Sequence, residues 1–385
     1  MSSRLRLILP TALLLALAGC AGVPPRPASA PPSSAAASAT PSVAPSTSAA
    51  APAAAPAAAP DEAAFVRALV AAHPGLDAQR VTALLQQATV QPSILAAMAR
   101  PAEARPWRDY RPIFVNAQRI EAGVAFYREH RERIDATATR YGVPPTILVA
   151  LLGVETRYGR ITGRYRVLDA LVTLGFHYPP RAAFFQKELA ALLTLPADRL
   201  PAPVQELRGS YAGAMGWCQF MPSSLARYGV DADGDGRVDL WDSLPDILAS
   251  TANYLAAHGW QAGQPVSAPA WPAASAAPPP AAMVWAGKPP VQPLQAFEAL
   301  GYAPATRVDP ALPAALLSLQ GADGPEWRFV FPDFYVLTRY NTSPLYALAV
   351  SELADAIAAQ SADVAGDTNE AADPGAPAPA PGRKP

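Results

Sequence analysis

Glu155 is the first residue with chemistry to offer. It lies in GVPPTILVALLGVETRYG, where Leu148, Leu151, Leu152 and Glu155 recur three and four residues apart, the spacing that puts side chains on one helical face. A carboxylate on an apolar stripe is disfavoured in its charged form, so its pKa is expected to move up. That is the property a group needs to donate a proton to a leaving oxygen near neutral pH. The structural alternative is that Glu155 pairs with Arg157 or Arg160 at a helix end.

A second stretch, DADGDGRVDLWD at 231–242, has the spacing of a calcium loop. Asp231, Asp233 and Asp235 take positions 1, 3 and 5, Gly236 the sharp turn at 6, the Arg237 carbonyl 7, Asp239 position 9 and Asp242 position 12. Ligation by oxygen alone selects a hard cation. Asp242 stands where Glu is usual, and its shorter side chain weakens that position. One such loop is expected to be a structural clamp; the alternative is a polar turn with Asp242 capping the next helix.

The third stretch is GSYAGAMGWCQFMPSSLARYG at 209–229. Its small residues permit close approach of backbone to backbone or to a ligand. Ser210, Tyr211 and Gln219 are then candidate hydrogen-bonding groups, and Tyr211 and Trp217 candidate stacking surfaces. Tight core packing explains the same composition.

The elements that must position these groups are mostly helical. Apolar residues recur at helical spacing over 62–72, 77–88, 115–139, 144–158, 181–194, 244–257 and 343–357. Pro144 or Pro145 suits the start of the Glu155 helix and Gly159 its end, and Pro222 opens another helix. Between Gln264 and Pro332 the pattern changes to short apolar runs broken by Pro and Gly, with MVW at 283–285 and WRFVF at 327–331 as expected strands. SAPAWPAASAAPPPAA is expected to contain a surface loop. The fold class is α+β and mainly helical.

The ends read differently. Arginines at 4 and 6, an apolar run from Leu7 to Ala18 and small residues before Cys20 form a signal peptide over 1–19. The run is too short for a spanning helix of about 20 apolar residues. LAGC at 17–20 resembles a lipobox, which implies a lipidated Cys20 as membrane anchor; without Asp at 21 or 22, it implies the periplasmic side of the outer membrane. Ala, Pro and Ser dominate the tether over 20–60, and 358–385 ends in the same composition; both are expected to stay unfolded. Cys218 is the only other cysteine, so stability must come from a core. A formal charge of -1 without a basic block excludes nucleic acid as the expected partner.

Taken in order, GVETRYG at 153–159, GSYAGAMGWCQFMPSS at 209–224, DGDGRVDLWDS at 233–243, ANYLAAHGW at 252–260 and FYVLTRYNTSPLYALAV at 334–350 resemble the landmarks of the membrane-bound lytic transglycosylase B family. The resemblance implies an α domain, a small β domain and a lysozyme-like core around a groove. It distributes the chain as helical core regions over 61–265, a β-containing subdomain over 266–332 and a return to the core over 333–357. It implies cleavage of the β-1,4 bond between N-acetylmuramic acid and N-acetylglucosamine in peptidoglycan strands, without water and without a catalytic cofactor, giving 1,6-anhydromuramyl ends. Glu155 falls on the family's acid and base. Ser210, Gln219, Tyr254, Tyr340 and Asn341 fall on residues that line the groove, and 231–242 on a structural calcium loop. Trp217, Cys218 and Asp333 depart from the family's usual residues. The competing expectations are a hydrolytic muramidase, which would need a second carboxylate that no motif ties to Glu155, and a non-catalytic peptidoglycan-binding lipoprotein.

Overall fold

The computed structural model of the protein describes residues 61–99 and 105–370, with side chains to 362. The expected signal peptide, Cys20, the tether and the last residues of the tail lie outside the described residues.

Six helices lead to the central one: α1 (Glu62–Ala72), α2 (Ala78–Gln86), α3 (Pro92–Met98), α4 (Trp107–Phe114), α5 (Ala117–Glu129) and α6 (Arg131–Tyr141). The side chains of Asp61, Asp77 and Asn116 accept backbone N–H groups at the starts of α1, α2 and α5, satisfying donors that a helix start leaves unpaired. The helical pattern expected over 115–139 divides in two at His130, which ends α5 and begins α6.

The helix α7 (Pro145–Thr156) follows, with Pro144 as N-cap and Pro145 in its first turn, as expected. Every residue from Ile147 to Thr156 is buried. The apolar stripe around Glu155 is therefore one side of a helix enclosed on all sides. A two-residue ladder joins β1 (Tyr165–Arg166) to β2 (Arg208–Gly209). Between them lie α8 (Val167–His177) and α9 (Ala182–Thr194). Periodicity missed α8 because it is buried from Val167 to Phe176 and shows no polar face. The helices α10 (Pro222–Tyr228) and α11 (Leu244–Ala257) complete the first part of the body.

The chain then builds a sheet from β3 (Ser267–Pro272), β4 (Gln292–Pro293), β5 (Tyr302–Pro304), β6 (Pro313–Gln320) and β7 (Pro325–Val330), with α12 (Gln295–Glu298) against it. The strand order is β4-β6-β7-β3-β5, and every pairing is antiparallel. The expected strand in WRFVF is β7. MVW forms no strand; Val284 makes one isolated bridge to Leu316. The segment beginning SAPAWP does contain a loop, but its first six residues are β3, between β7 and β5. Ala268 and Ala270 alternate inward there.

Two hydrophobic cores result. On β6, Leu316 and Ala314 enter a small core with Phe297 and Phe329, whereas Ala315, Leu317 and Leu319 belong to the large core of the helical body. The period of two makes one strand the partition between the cores. The chain returns through α13 (Pro332–Tyr340) and α14 (Pro344–Glu370), and α14 extends the helix expected over 343–357 into the region expected to be unfolded. Glu352 of α14 accepts from Arg111 of α4 and from Arg328 of β7, each at 2.5 Å, so one buried carboxylate ties the sheet to the body.

Asp333 carries a cost at this junction. It is fully buried; Oδ1 accepts the Gln261 amide at 2.8 Å, while Oδ2 has no partner among the described residues. Burial pushes its pKa up to about 7, against the opposing Gln261 hydrogen bond. The folded state then holds a proton that the unfolded chain has already released. The resulting stabilisation is complete below about pH 4 and is lost as pH rises through about 7, with a slope of at most about 1.4 kcal/mol per pH unit. Asp333→Asn should flatten that slope, so the melting temperature of the variant relative to the parent rises between pH 5 and pH 8. A difference independent of pH would refute the assignment.

Candidate active site

The end of α7 is built with unusual backbone. Arg157 and Tyr158 both lie in the left-handed region, at φ 53° and 58°, a conformation that costs a non-glycine residue about 1–2 kcal/mol. The surroundings hold it in place. The Tyr158 hydroxyl donates to the Arg119 carbonyl at 2.9 Å, and Arg119 Nη1 donates to the Gly153 carbonyl at 2.5 Å. Gly123 and Gly153 leave room for that hydroxyl: a Cβ on either would sit 2.5 or 2.6 Å from it. Thus α7 stops at Thr156, before the expected Gly159.

Glu155 sits just inside this stop, 7% exposed. Its Oε1 accepts from the Tyr346 hydroxyl at 2.5 Å, and Oε2 is buried without a partner among the described residues. Burial raises its pKa to about 7, and the Tyr346 hydrogen bond works against that rise. No ion pair with Arg157 or Arg160 occurs among the described residues. Nor does any carboxylate add to the shift. A group half-protonated near neutrality can serve in turn as acid and base.

Sequence reasoning missed two partners. Tyr346 stands in the TSPLY part of a motif already singled out, but nothing local links it to Glu155. Tyr110, on a short α4 that periodicity did not reveal, has its pKa raised by burial and then by the charge of Glu155. Since the Tyr346 hydrogen bond favours the carboxylate, Tyr346→Phe should raise the pKa of Glu155 and move the alkaline limb of the kcat/KM profile to higher pH. A limb that stays in place or moves down would count against this arrangement.

The glycine-rich segment forms a tightly folded floor beside α7. Ser210 N–H donates to the Ala214 carbonyl at 2.8 Å, and Ser210 Oγ accepts from Ala212 at 3.3 Å and Ala214 at 3.0 Å. The serine thus shapes the turn and keeps its own proton for another acceptor. Gln219 adopts φ 50°, and its Nε2 donates to the carbonyls of Gly216 at 2.8 Å and Thr162 at 3.1 Å. It pins the loop after α7 to the floor. Tyr211 is half-buried beside Ser210. Trp217 packs against Phe126 and Gly159, so its ring serves the core.

Aromatic residues wall this floor. The Tyr340 hydroxyl donates to the Cys218 carbonyl and the Tyr254 hydroxyl to the Arg339 carbonyl, each at 2.6 Å. Their rings meet edge to face at 4.8 Å, and both lie against Phe220. With both hydroxyls committed to backbone, these tyrosines act through their rings. Tyr340 also feels the charge of Glu155, after burial and the Cys218 neighbour, so the wall reaches Glu155. Asn341 is buried and its Oδ1 accepts the Ser343 amide at 3.1 Å, which shapes the turn from α13 to α14. Cys218 is fully buried, with its thiol pushed up to about 12 by burial. It stays a thiol at neutral pH and is inert.

The acidic loop lies at the far side of the floor, joined to it where Trp217 N–H donates to the Leu240 carbonyl at 2.8 Å. Asp231, Asp233 and Asp246 each bring a carboxylate oxygen within 4.8 Å of the others. Asp246 was not among the expected ligands; it lies in the first turn of α11, is fully buried and accepts the Ala232 and Asp239 amides at 2.8 Å. Asp242 is exposed and outside this trio. Asp235 and Asp239 are likewise outside it, accepting loop amides of Arg237 and of Trp241 and Asp242. The reason is chain direction: the turn from Trp241 to Ser243 carries Asp242 outward, while the first turn of α11 brings Asp246 back under the loop. Three hard oxygen donors suit a divalent cation such as calcium.

Comparison with known proteins shows the family. A family model described as the transglycosylase SLT domain matches residues 59–355. Membrane-bound lytic murein transglycosylase B of Escherichia coli (strain K12) is 38% identical over 304 residues, which is 76% of this chain and 81% of that protein. The crystal structure of soluble lytic transglycosylase SltB1 from Pseudomonas aeruginosa is 42% identical with a TM-score of 0.71, covering 78% of this chain and 99% of that one. Escherichia coli lytic transglycosylase Slt35 in complex with calcium is 37% identical with a TM-score of 0.70, covering 79% of this chain and 95% of that one. The expected mainly helical, lysozyme-like fold is the fold of these neighbours. With more than half its length matched and two solved relatives spanned almost end to end, the chain belongs to the transglycosylase SLT domain family.

Proposed function

We propose that Glu155 alone serves this peptidoglycan lytic transglycosylase as acid and then base at the β-1,4 bond between N-acetylmuramic acid and N-acetylglucosamine. The observation that carries the reading is a single buried carboxyl group near pKa 7, held by Tyr346, with no carboxylate acting on it. Protonated Glu155 gives its proton to the glycosidic oxygen as the bond from C1 breaks, and the N-acetylglucosamine hydroxyl leaves. Positive charge develops at C1 of the muramyl ring, where the substrate's own N-acetyl group stabilises it. The carboxylate now on Glu155 takes the proton of the C6 hydroxyl as that oxygen attacks C1. The carboxyl group is restored, a 1,6-anhydro ring is formed and no water is consumed. Ser210, Tyr211, Gln219 and Asn341 hold the sugar on the polar side, and the rings of Tyr254 and Tyr340 help keep water from C1.

Mass spectrometry of muropeptides released from purified peptidoglycan tests this. Products one water lighter than reducing muropeptides are expected. Reducing ends would point to a hydrolytic muramidase, and wall binding without release to a binding protein.

Asp231, Asp233 and Asp246 would hold calcium and clamp the floor to α11; the calcium complex of a relative supports this. Calcium at about a hundredfold over Kd should then stabilise the protein by about 2.7 kcal/mol. Thermal melts should show the gain with calcium, its loss with chelator, and its absence in Asp233→Asn. An equal gain in that variant would remove the site. The leader 1–19, lipidated Cys20 and tether 20–60 would anchor the enzyme on the periplasmic side of the outer membrane. Among the described residues no helix is long and apolar enough to cross a membrane.

A further inference from the structure

One stretch of α14 carries few polar side chains, and each has a directed partner. From Tyr346 to Ala354 the sequence is YALAVSELA, and every residue is buried. Only Tyr346, Ser351 and Glu352 bring polar groups there. The Tyr346 hydroxyl donates to Glu155 Oε1 at 2.5 Å. The Ser351 hydroxyl meets that of Ser267, the first residue of β3, at 3.0 Å. Glu352 uses both oxygens: Oε2 accepts from Arg111 Nε of α4 and Oε1 from Arg328 Nη2 of β7, each at 2.5 Å.

Burial holds α14 against α4, α5, α7 and α13, but hydrophobic burial is non-directional and changes little with a small shift along the helix axis. An O–H···O bond is strong only over about 2.5–3.0 Å, a window narrower than the rise of about 1.5 Å per helical residue. The contact between Tyr346 and Glu155 therefore needs a fixed register, and charge-assisted hydrogen bonds are the strongest directed contacts that can fix one. Glu352 stands about 9 Å along α14 from Tyr346. Its two arms are anchored on either side. Arg328 precedes Phe329, which is fully buried in the small core of the sheet. Arg111 follows Tyr110, whose pKa is raised by burial and then by the charge of Glu155, so this arm also fixes α4 beside Glu155.

We propose that Glu352 is a positioning residue for Glu155: bridging Arg111 of α4 and Arg328 of β7, it holds α14 at the register in which the Tyr346 hydroxyl reaches Glu155, so the β subdomain helps to set the reacting carboxyl group. Tyr110, Cys218, Tyr340 and Tyr346, on α4, the floor, α13 and α14, are the titratable side chains that feel the charge of Glu155. Burial raises all four, so they are uncharged at neutral pH. Arg119, the charged group on α5, binds the Gly153 carbonyl instead. Among the described residues Tyr346 alone bonds to the Glu155 carboxyl group, and that bond favours its charged form.

The test titrates the Glu155 carboxyl group itself, by carbon NMR of the full-length protein labelled at glutamate Cδ, with the signal assigned by its loss in Glu155→Gln. Glu352→Gln should raise the Glu155 pKa by up to about one pH unit, the span of one hydrogen bond to a carboxylate, as Tyr346→Phe does. In the Tyr346→Phe background Glu352→Gln should add nothing, because the bond it protects is already gone. Arg328→Gln cuts only the arm to the sheet and leaves Glu352 paired with Arg111, so it should shift the pKa in the same direction and by less. Arg328→Lys, which keeps the charge, should restore most of the parent value. If Glu352→Gln does not fold, Arg328→Gln in the two backgrounds makes the same comparison. An unshifted pKa in folded variants, or a second shift of equal size in the Tyr346→Phe background, overturns the positioning role. This rests on the reading of Glu155 as the proton-transferring group, which the rate checks separately. A pKa that moves while the alkaline limb of kcat/KM stays in place would refute that reading and leave the hold of Glu352 on Glu155 intact.

Discussion

Glu155→Gln is expected to reduce glycan cleavage by roughly 10²–10⁴-fold, the range for loss of a positioned general acid and base. The substitution keeps the size of the side chain and an oxygen for the Tyr346 hydroxyl, which now approaches at 2.5 Å. It removes the group that can exchange a proton near pH 7. Folding should survive, because the buried side chain no longer has a charged form to desolvate. Release of anhydromuropeptides and the melting temperature should be measured on the same sample. A variant that keeps more than a tenth of the rate would displace Glu155 from its role. With Glu155 as the proposed acid, the reaction begins from its protonated form, so the rate should fall as pH rises past about 7.

The largest expected effect on stability comes from Gly216→Ala. Gly216 has φ 62°, and a Cβ there would sit 2.3 Å from the Leu240 carbonyl and 2.6 Å from the Leu240 Cβ. Left-handed backbone costs alanine about 1–2 kcal/mol, and forcing atoms into a filled space adds about 1–3 kcal/mol. The expected total of roughly 2–5 kcal/mol is a large part of a typical domain's stability. Gly234 is the control: its φ is 79°, but a Cβ there would meet nothing within 4 Å. Gly234→Ala should therefore cost only the backbone term. Urea denaturation of both variants separates the contributions, and equal losses would show that crowding at Leu240 is unimportant. The position matters for function because Gly216 lies where the floor that carries Ser210 and Gln219 meets the end of the acidic loop.

Features written in short stretches of chain were legible. Pro144 and Pro145 start α7, the apolar run of β7 makes a strand, and the spacing of Asp231 and Asp233 brings their carboxylates together, because each depends on neighbours within a few residues. The raised pKa of Glu155 was legible for the same reason: its helical neighbours are apolar.

What periodicity could not show is which element covers which face. Tyr346 reaches Glu155 across 191 residues, and a hydroxyl in TSPLY bears no local mark of the helix it will meet. Asp246 enters the acidic trio because α11 turns back beneath the loop, whereas Asp242, the expected position by spacing, is carried outward. The strand β3 lies in a stretch rich in Pro and Ala, and it takes its place in the sheet from its ladders to β7 and β5. Sequence by itself determined the placing of Glu155 on an apolar helix, the acidic loop and the helical character of the body, since local spacing specifies these. Tertiary structure alone decided the partner of Glu155 and the third carboxylate of the acidic loop, since those contacts form only when distant elements pack and bury one another's side chains.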